Sequence, residues 1–109
     1  DRLSGIPLII MTPCMMNTKI CRQAIGETFV EAAEKCMKIQ TGGVLKAYVE
    51  VLREQAHIRG ILLCDEYARF ERWAASGIDT DQLLANGINH PLREIHYLWA
   101  HDLFKLLAG

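Results

Sequence analysis

The chain has no apolar run long enough to cross a bilayer: the longest, Ile6 to Met16, is cut by Pro7, Thr12 and Pro13 and falls short of the roughly 20 residues a helical span needs. It has no excess of one charge, since 12 basic residues meet 13 acidic ones in an interspersed pattern. A phosphate backbone is bound by a basic footprint, so nucleic acid is not an expected partner. No CxxC pair is present, and Cys14, Cys21, Cys36 and Cys64 are separated by 6, 14 and 27 residues, which matches neither a zinc site nor a thioredoxin-type motif. The thiols therefore read as small buried hydrophobes, which suits a reducing intracellular compartment. The only serines, Ser4 and Ser76, sit in no Gly-x-Ser-x-Gly elbow. Thr41-Gly42-Gly43 lacks the lysine and hydroxyl residue of a phosphate loop.

What is present is helical periodicity. From Val44 to Ala75 there is no proline and one internal glycine, and Leu45, Val49, Leu52, Ala56, Gly60, Leu63, Tyr67, Phe70 and Ala74 fall on one stripe at 100° per residue. A second row, Val44, Tyr48, Val51, Ile58, Leu62 and Trp73, lies about 120° away. The spacing predicts one long helix with two apolar faces, about 50 Å in length. Gly60 lies in the buried stripe, which reads as a point of close helix approach rather than a loop.

Around this helix the sequence predicts others. Asn17 or Thr18 caps a first helix running to Gln40, with Cys21, Ile25, Phe29, Ala32, Cys36 and Ile39 on its inner face; Gly42 and Gly43 stop it. Asp79 caps a short helix from Thr80 to Ala85, which Asn86 and Gly87 end. A last helix starts at Pro91 and runs to about Leu107, with Leu92, Ile95, Trp99, Leu103 and Leu106 inward. The fold class expected is all-α, a bundle of three to four helices around one long central helix. Residues 1–16 form an irregular apolar arm and residues 17–109 the bundle domain. The chain begins at Asp1, not methionine, so it reads as a processed product or part of something longer.

Chemistry-bearing residues are few. Glu54 and His57 have the Glu-x-x-His spacing of carboxylate-bridged metal bundles, yet they lie about 160° and 100° from the buried stripe and are expected to face water. Glu94 and His96 have the wrong spacing to complete such a site. His96 and His101, about 140° apart on a helix, cannot grip one ion, and His90 beside Pro91 reads as a capping residue. No cofactor is expected.

The surface is the remaining signal. Val44, Tyr48, Val51, Leu62 and Trp73 on the second face of the long helix, with Tyr97 and Phe104 on the outer face of the last, are apolar residues displayed away from the expected core. The function this pattern predicts is a non-enzymatic protein-interaction or assembly module, self-associating or a subunit of a larger complex. The alternative is a small-molecule or cofactor-binding bundle with a cavity lined by Phe29, Met37, Tyr67, Phe70 and Trp99. A second alternative is a metal-binding, ferritin-like bundle using Glu54 and His57.

Overall fold

The structure, a computed structural model, describes residues 5–109. The first four positions of the arm, Ser4 among them, lie outside the described residues. The described residues are mostly helical, 62 % with the 3-10 turns included, and form five α-helices and one small two-stranded sheet. In chain order these are strand β1 (Ile9–Met11), α1 (Arg22–Ile25), α2 (Val30–Thr41), α3 (Val44–Arg59), strand β2 (Leu62–Cys64), α4 (Glu66–Ala75) and α5 (Arg93–Ala108). Single 3-10 turns at Glu27–Phe29 and Thr80–Leu83 join them.

The expected continuous helix over 44–75 is broken. α3 ends at Arg59 because Gly60 takes the left-handed conformation, φ 63° and ψ 31°. There its N–H donates to His57 C=O at 3.3 Å, and Ile61 N–H reaches back to Ala56 C=O at 2.9 Å. This is a glycine helix stop, in which backward bonds satisfy the last carbonyls. Leu62, Leu63 and Cys64 then run as a strand, and Asp65 starts α4 by accepting from Ala68 N–H at 3.2 Å. The apolar stripe ran through the break because three consecutive apolar residues satisfy helical and strand spacing alike. With no helix running from 44 to 75, the helices are not arranged around one central rod. The inner stripe of α3 still packs inward, with Val49 and Ala56 buried.

The arm is not irregular throughout. β1 lies inside it and pairs with β2 in parallel, Ile9 opposite Leu62, Ile10 opposite Leu63 and Met11 opposite Cys64. Parallel strands need a long crossover, and α1, α2 and α3 supply it. The first predicted helix is also divided, because Gly26 at φ 80° ends α1 after four residues. Phe29 is consequently exposed, and Cys21, expected in the core, is exposed as well. Asn17 caps no helix. It is fully buried, its Nδ2 donating to Lys19 C=O at 3.1 Å and Ala33 C=O at 3.0 Å, and it ties the arm to α2. Thr18 bonds the Asp81 carboxylate through both N–H, 2.8 Å, and hydroxyl, 2.9 Å.

Two small cores result. Phe70, Leu84, Ile95 and Cys14 form one, with Trp73, Trp99 and Met15 against it; Ile25, Ala33 and Ile88 form the other. All four cysteines are free, Cys14 and Cys64 buried.

Gly60 separates the two possible folds of this segment by experiment. In a continuous helix Gly60→Ala would stabilise by about 1 kcal/mol. At a left-handed stop with open space around the missing Cβ it costs about 1 kcal/mol or more through backbone strain alone. Urea denaturation should show the destabilisation.

Candidate functional site

Chemistry gathers where the two strands end. Thr12, the residue after β1, is buried; its hydroxyl donates to Asp65 Oδ1 at 2.8 Å and accepts from Tyr67 N–H at 2.9 Å. Asp65 in turn accepts both arms of Arg53, Nε at 2.7 Å and Nη2 at 3.2 Å, in the fork geometry that makes Arg–carboxylate pairs strong. Arg53 also donates to Glu71 at 2.7 Å and Glu50 at 2.9 Å, and Lys46 completes the net on Glu71 and Glu50. Burial pushes the Asp65 carboxyl up, but the hydrogen bonds from Arg53 and Thr12 outweigh it and hold the group below the usual aspartate value. Glu71 is held low in the same way by Lys46 and Arg53. Every member is committed to a neighbour, so this net positions elements and leaves no reactive group free.

A second cluster follows β2. Glu66 opens α4 with its side chain buried, and it accepts from Cys64 Sγ at 3.4 Å and Arg69 Nε at 2.9 Å. Arg69 also donates to Asp102 on α5, which joins that helix to the strand end. Burial, then the hydrogen bond with Asp102, raises the Glu66 carboxyl, while Asp102 is held low by Glu66 and Arg69. Burial pushes the Cys64 thiol up to about 12, and the neighbouring Glu66 adds to it. A cavity of ≈ 350 Å³ adjoins, with Leu63, Lys105 and Leu106 on its wall. A thiol that stays protonated is no nucleophile at neutral pH.

The third arrangement is an open apolar cleft of ≈ 550 Å³ beside the carboxyl end of β1, lined by Met11, Cys14, Asn89, His90, His96 and Trp99 among others. Asn86 shapes the loop that carries Asn89 and His90 on the far wall. Its Oδ1 accepts the N–H groups of Ile88, Asn89 and His90, each at 3.0 Å, and its Nδ2 donates to Asn89 Oδ1 at 2.9 Å. Cys14 Sγ donates to Asn89 C=O at 3.5 Å, and burial pushes this thiol up to about 11. His96 meets Trp99 edge-on at 5.2 Å, and Trp99 Nε1 is buried with no hydrogen-bond partner among the described residues. His90 is thus placed by an asparagine-built turn, a role the capping reading missed; the Asn86-Gly87 pair was the available signal.

The residues expected on the outer faces fall into two groups. Val44, Tyr48, Val51 and Leu62 are exposed, as are Tyr97 and Phe104 on α5, Tyr48 and Phe104 by 67 % and 68 %. Trp73 is different: half-buried, it packs edge-on against Phe70 at 5.4 Å under the Arg69 guanidinium. Phe29, Met37, Tyr67, Phe70 and Trp99 do not line one cavity, since Tyr67 and Phe70 are closed into the core and Phe29 is exposed. Glu54 and His57 are exposed on α3, and among the described residues no group of three His, Cys, Asp or Glu could hold a metal ion. No described helix is long and apolar enough to cross a membrane. Compared with known proteins, the chain matches no family model, no curated sequence and no solved structure.

Asp65 and Glu71 set a pH dependence. Carboxyls held low in the fold contribute stability that is present above their unfolded pKa, about 4, and is lost as pH falls through the lower folded values. Raised Glu66 works with the opposite sign, its contribution fading as pH rises. Asp65→Asn should cost about 1–3 kcal/mol at pH 7. It should also flatten the loss of stability below about pH 4; urea titrations at pH 3 and 7 read both effects.

Proposed function

We propose that the chain is a non-enzymatic assembly module that works by docking against another polypeptide surface, a second copy or a subunit of a larger complex. One observation carries the reading: the molecule has more surface than a closed domain of its size. Its solvent-accessible area is 7281 Å² for 12.3 kDa, against about 6,100 Å² for a compact monomer of that mass. The excess, roughly 1,200 Å², is more than the area of one side of a standard protein interface, about 800 Å². The radius of gyration, 15.6 Å, exceeds the roughly 13 Å of a compact chain of this length in the same sense.

The composition of that surface supports the same reading. On α3, Val44, Tyr48, Val51 and Ile58 are all exposed, at the 3–4 spacing that a partner helix reads, with Gln55 the single polar step. On α5, Tyr97, Phe104 and Leu107 form a second such row. Isolated apolar residues on a surface are ordinary, but rows of this length mark contact sites. Burying one such side chain contributes about 1.5–3 kcal/mol.

Val51→Lys in α3 should therefore weaken association by about tenfold to a hundredfold with the helical circular dichroism unchanged. Phe104→Lys tests the α5 row separately. Sedimentation velocity of the purified chain and native mass spectrometry of the protein from its source are the measurements. A monomer at high micromolar concentration that also leaves its source without a partner would overturn the reading.

The cleft between β1 and α5 favours a second reading, small-molecule binding. Ligands of α/β structures sit beyond the carboxyl ends of parallel strands, and this cleft combines apolar walls with imidazole and amide groups there. On that reading the protein from its source carries a bound compound of a few hundred daltons, which native mass spectrometry weighs, and His96→Ala releases it. A source protein of bare chain mass counts against it.

A further inference from the structure

The sheet has an open side. Thr12 N–H donates to Cys64 C=O at 3.0 Å, and with Ile10 opposite Leu63 this parity turns the N–H and C=O of Ile10 toward β2. The backbone groups of Ile9 and Met11 point the other way. Neither residue makes a backbone bond on that side to any other described residue, and no described helix packs extensively on β1. Counting by twos, Pro7 and Pro13 occupy the next outward positions, where no N–H exists to be satisfied. The free edge is thus a window two donors and two acceptors wide. A two-stranded parallel sheet is also an uncommon end state, because parallel sheets are generally larger and covered on both faces.

That window complements itself. Placed antiparallel to a copy of itself about a two-fold axis at Ile10, Ile9 of one chain faces Met11 of the other, and each pair exchanges two N–H···O=C bonds. All four bonds then fall within residues that already have strand conformation, and Pro7 faces Pro13, so neither proline opposes a donor. From Gly5 to Asn17 the chain carries no charged side chain, so no like charges meet. Ile6 and Leu8, both exposed, lie at the flank of the joint.

We propose that the outer edge of β1 binds β1 of a second copy of this chain, making a four-stranded sheet in the order β2–β1–β1–β2. The proposal rests on the assembly reading above and names its occupant and register. Backbone bonds at Ile9 and Met11 set the alignment, and the apolar residues at the flank add contact area.

Sedimentation velocity with hydrogen exchange on the full chain tests it. The expected result is a dimer in which the Ile9 and Met11 amides exchange slowly, and fast after dilution to monomer. Ile9→Pro removes an outward donor that β2 does not use, so it should weaken the dimer about tenfold or more with unchanged circular dichroism. Ile10→Cys in a Cys21→Ser background should cross-link two copies on mild oxidation, because facing residues of a non-hydrogen-bonded antiparallel pair lie within disulfide reach. A dimer that survives Ile9→Pro, and whose Ile9 and Met11 amides exchange fast in the unsubstituted chain, overturns the strand pairing and leaves the assembly reading standing. A single copy whose Ile9 and Met11 amides become protected only with a different polypeptide overturns the second copy as occupant. A monomer with no partner at all overturns both.

Discussion

The contact between Thr12 and Asp65 is the joint on which the rest of the molecule depends. It links residues 53 positions apart, the end of β1 and the cap of α4, and one hydroxyl serves both the Asp65 carboxylate and the Tyr67 N–H. Because Asp65 also receives the fork of Arg53, the same carboxylate anchors α3. Strand pairing, helix start and the placing of the crossover meet in a few side chains. A partly buried carboxylate is costly without partners, and here an arginine fork, a hydroxyl and a backbone N–H supply them.

The α5 side has a smaller version of the same device. Glu66, buried beside Cys64, meets Arg69 and through it Asp102, so charge fastens the last helix to the strand end while Ile95 and Trp99 pack it against the Phe70 core. The apolar cores on either side are small, four and three buried residues in the described chain. A chain of this length ordinarily buries about two-thirds of the surface its unfolded form exposes, yet this one leaves whole rows of large apolar side chains in water. Polar joints can fix geometry with little apolar burial, and the apolar area they leave open is then free to meet another surface. The assembly reading follows from that division.

The cleft near His90 illustrates how the shape of a cavity can depend on groups that do not line it. Asn86 gathers three successive backbone N–H groups and so sets the path of the loop that holds Asn89 and His90. Cys14 closes the near side with a thiol that burial keeps protonated. The space belongs to β1 and the segment after it on one side and to the loop with the α5 helix that follows it on the other, stretches joined across 75 positions by the Cys14–Asn89 contact.

Local spacing determined a good deal. The preponderance of helix, the stop at Gly42 and Gly43, the Asp79 turn, the last helix to within two residues at its start, and the outward rows on α3 and α5 were legible, because each depends on neighbours a few residues away. Only the tertiary structure decided that Gly60 would end a helix and Leu62–Cys64 would extend: a three-residue apolar run fits both periods, and the choice falls to the strand that waits beside it. Likewise Asn17 and Glu66 look like surface residues by type. They are buried because Ala33, Ile88 and Lys19 offer one its backbone partners, and Arg69 and Cys64 offer the other its donors. Pairing across 53 positions leaves no periodic trace in a single sequence, since what selects it is the complementarity of two distant groups once the chain has brought them together.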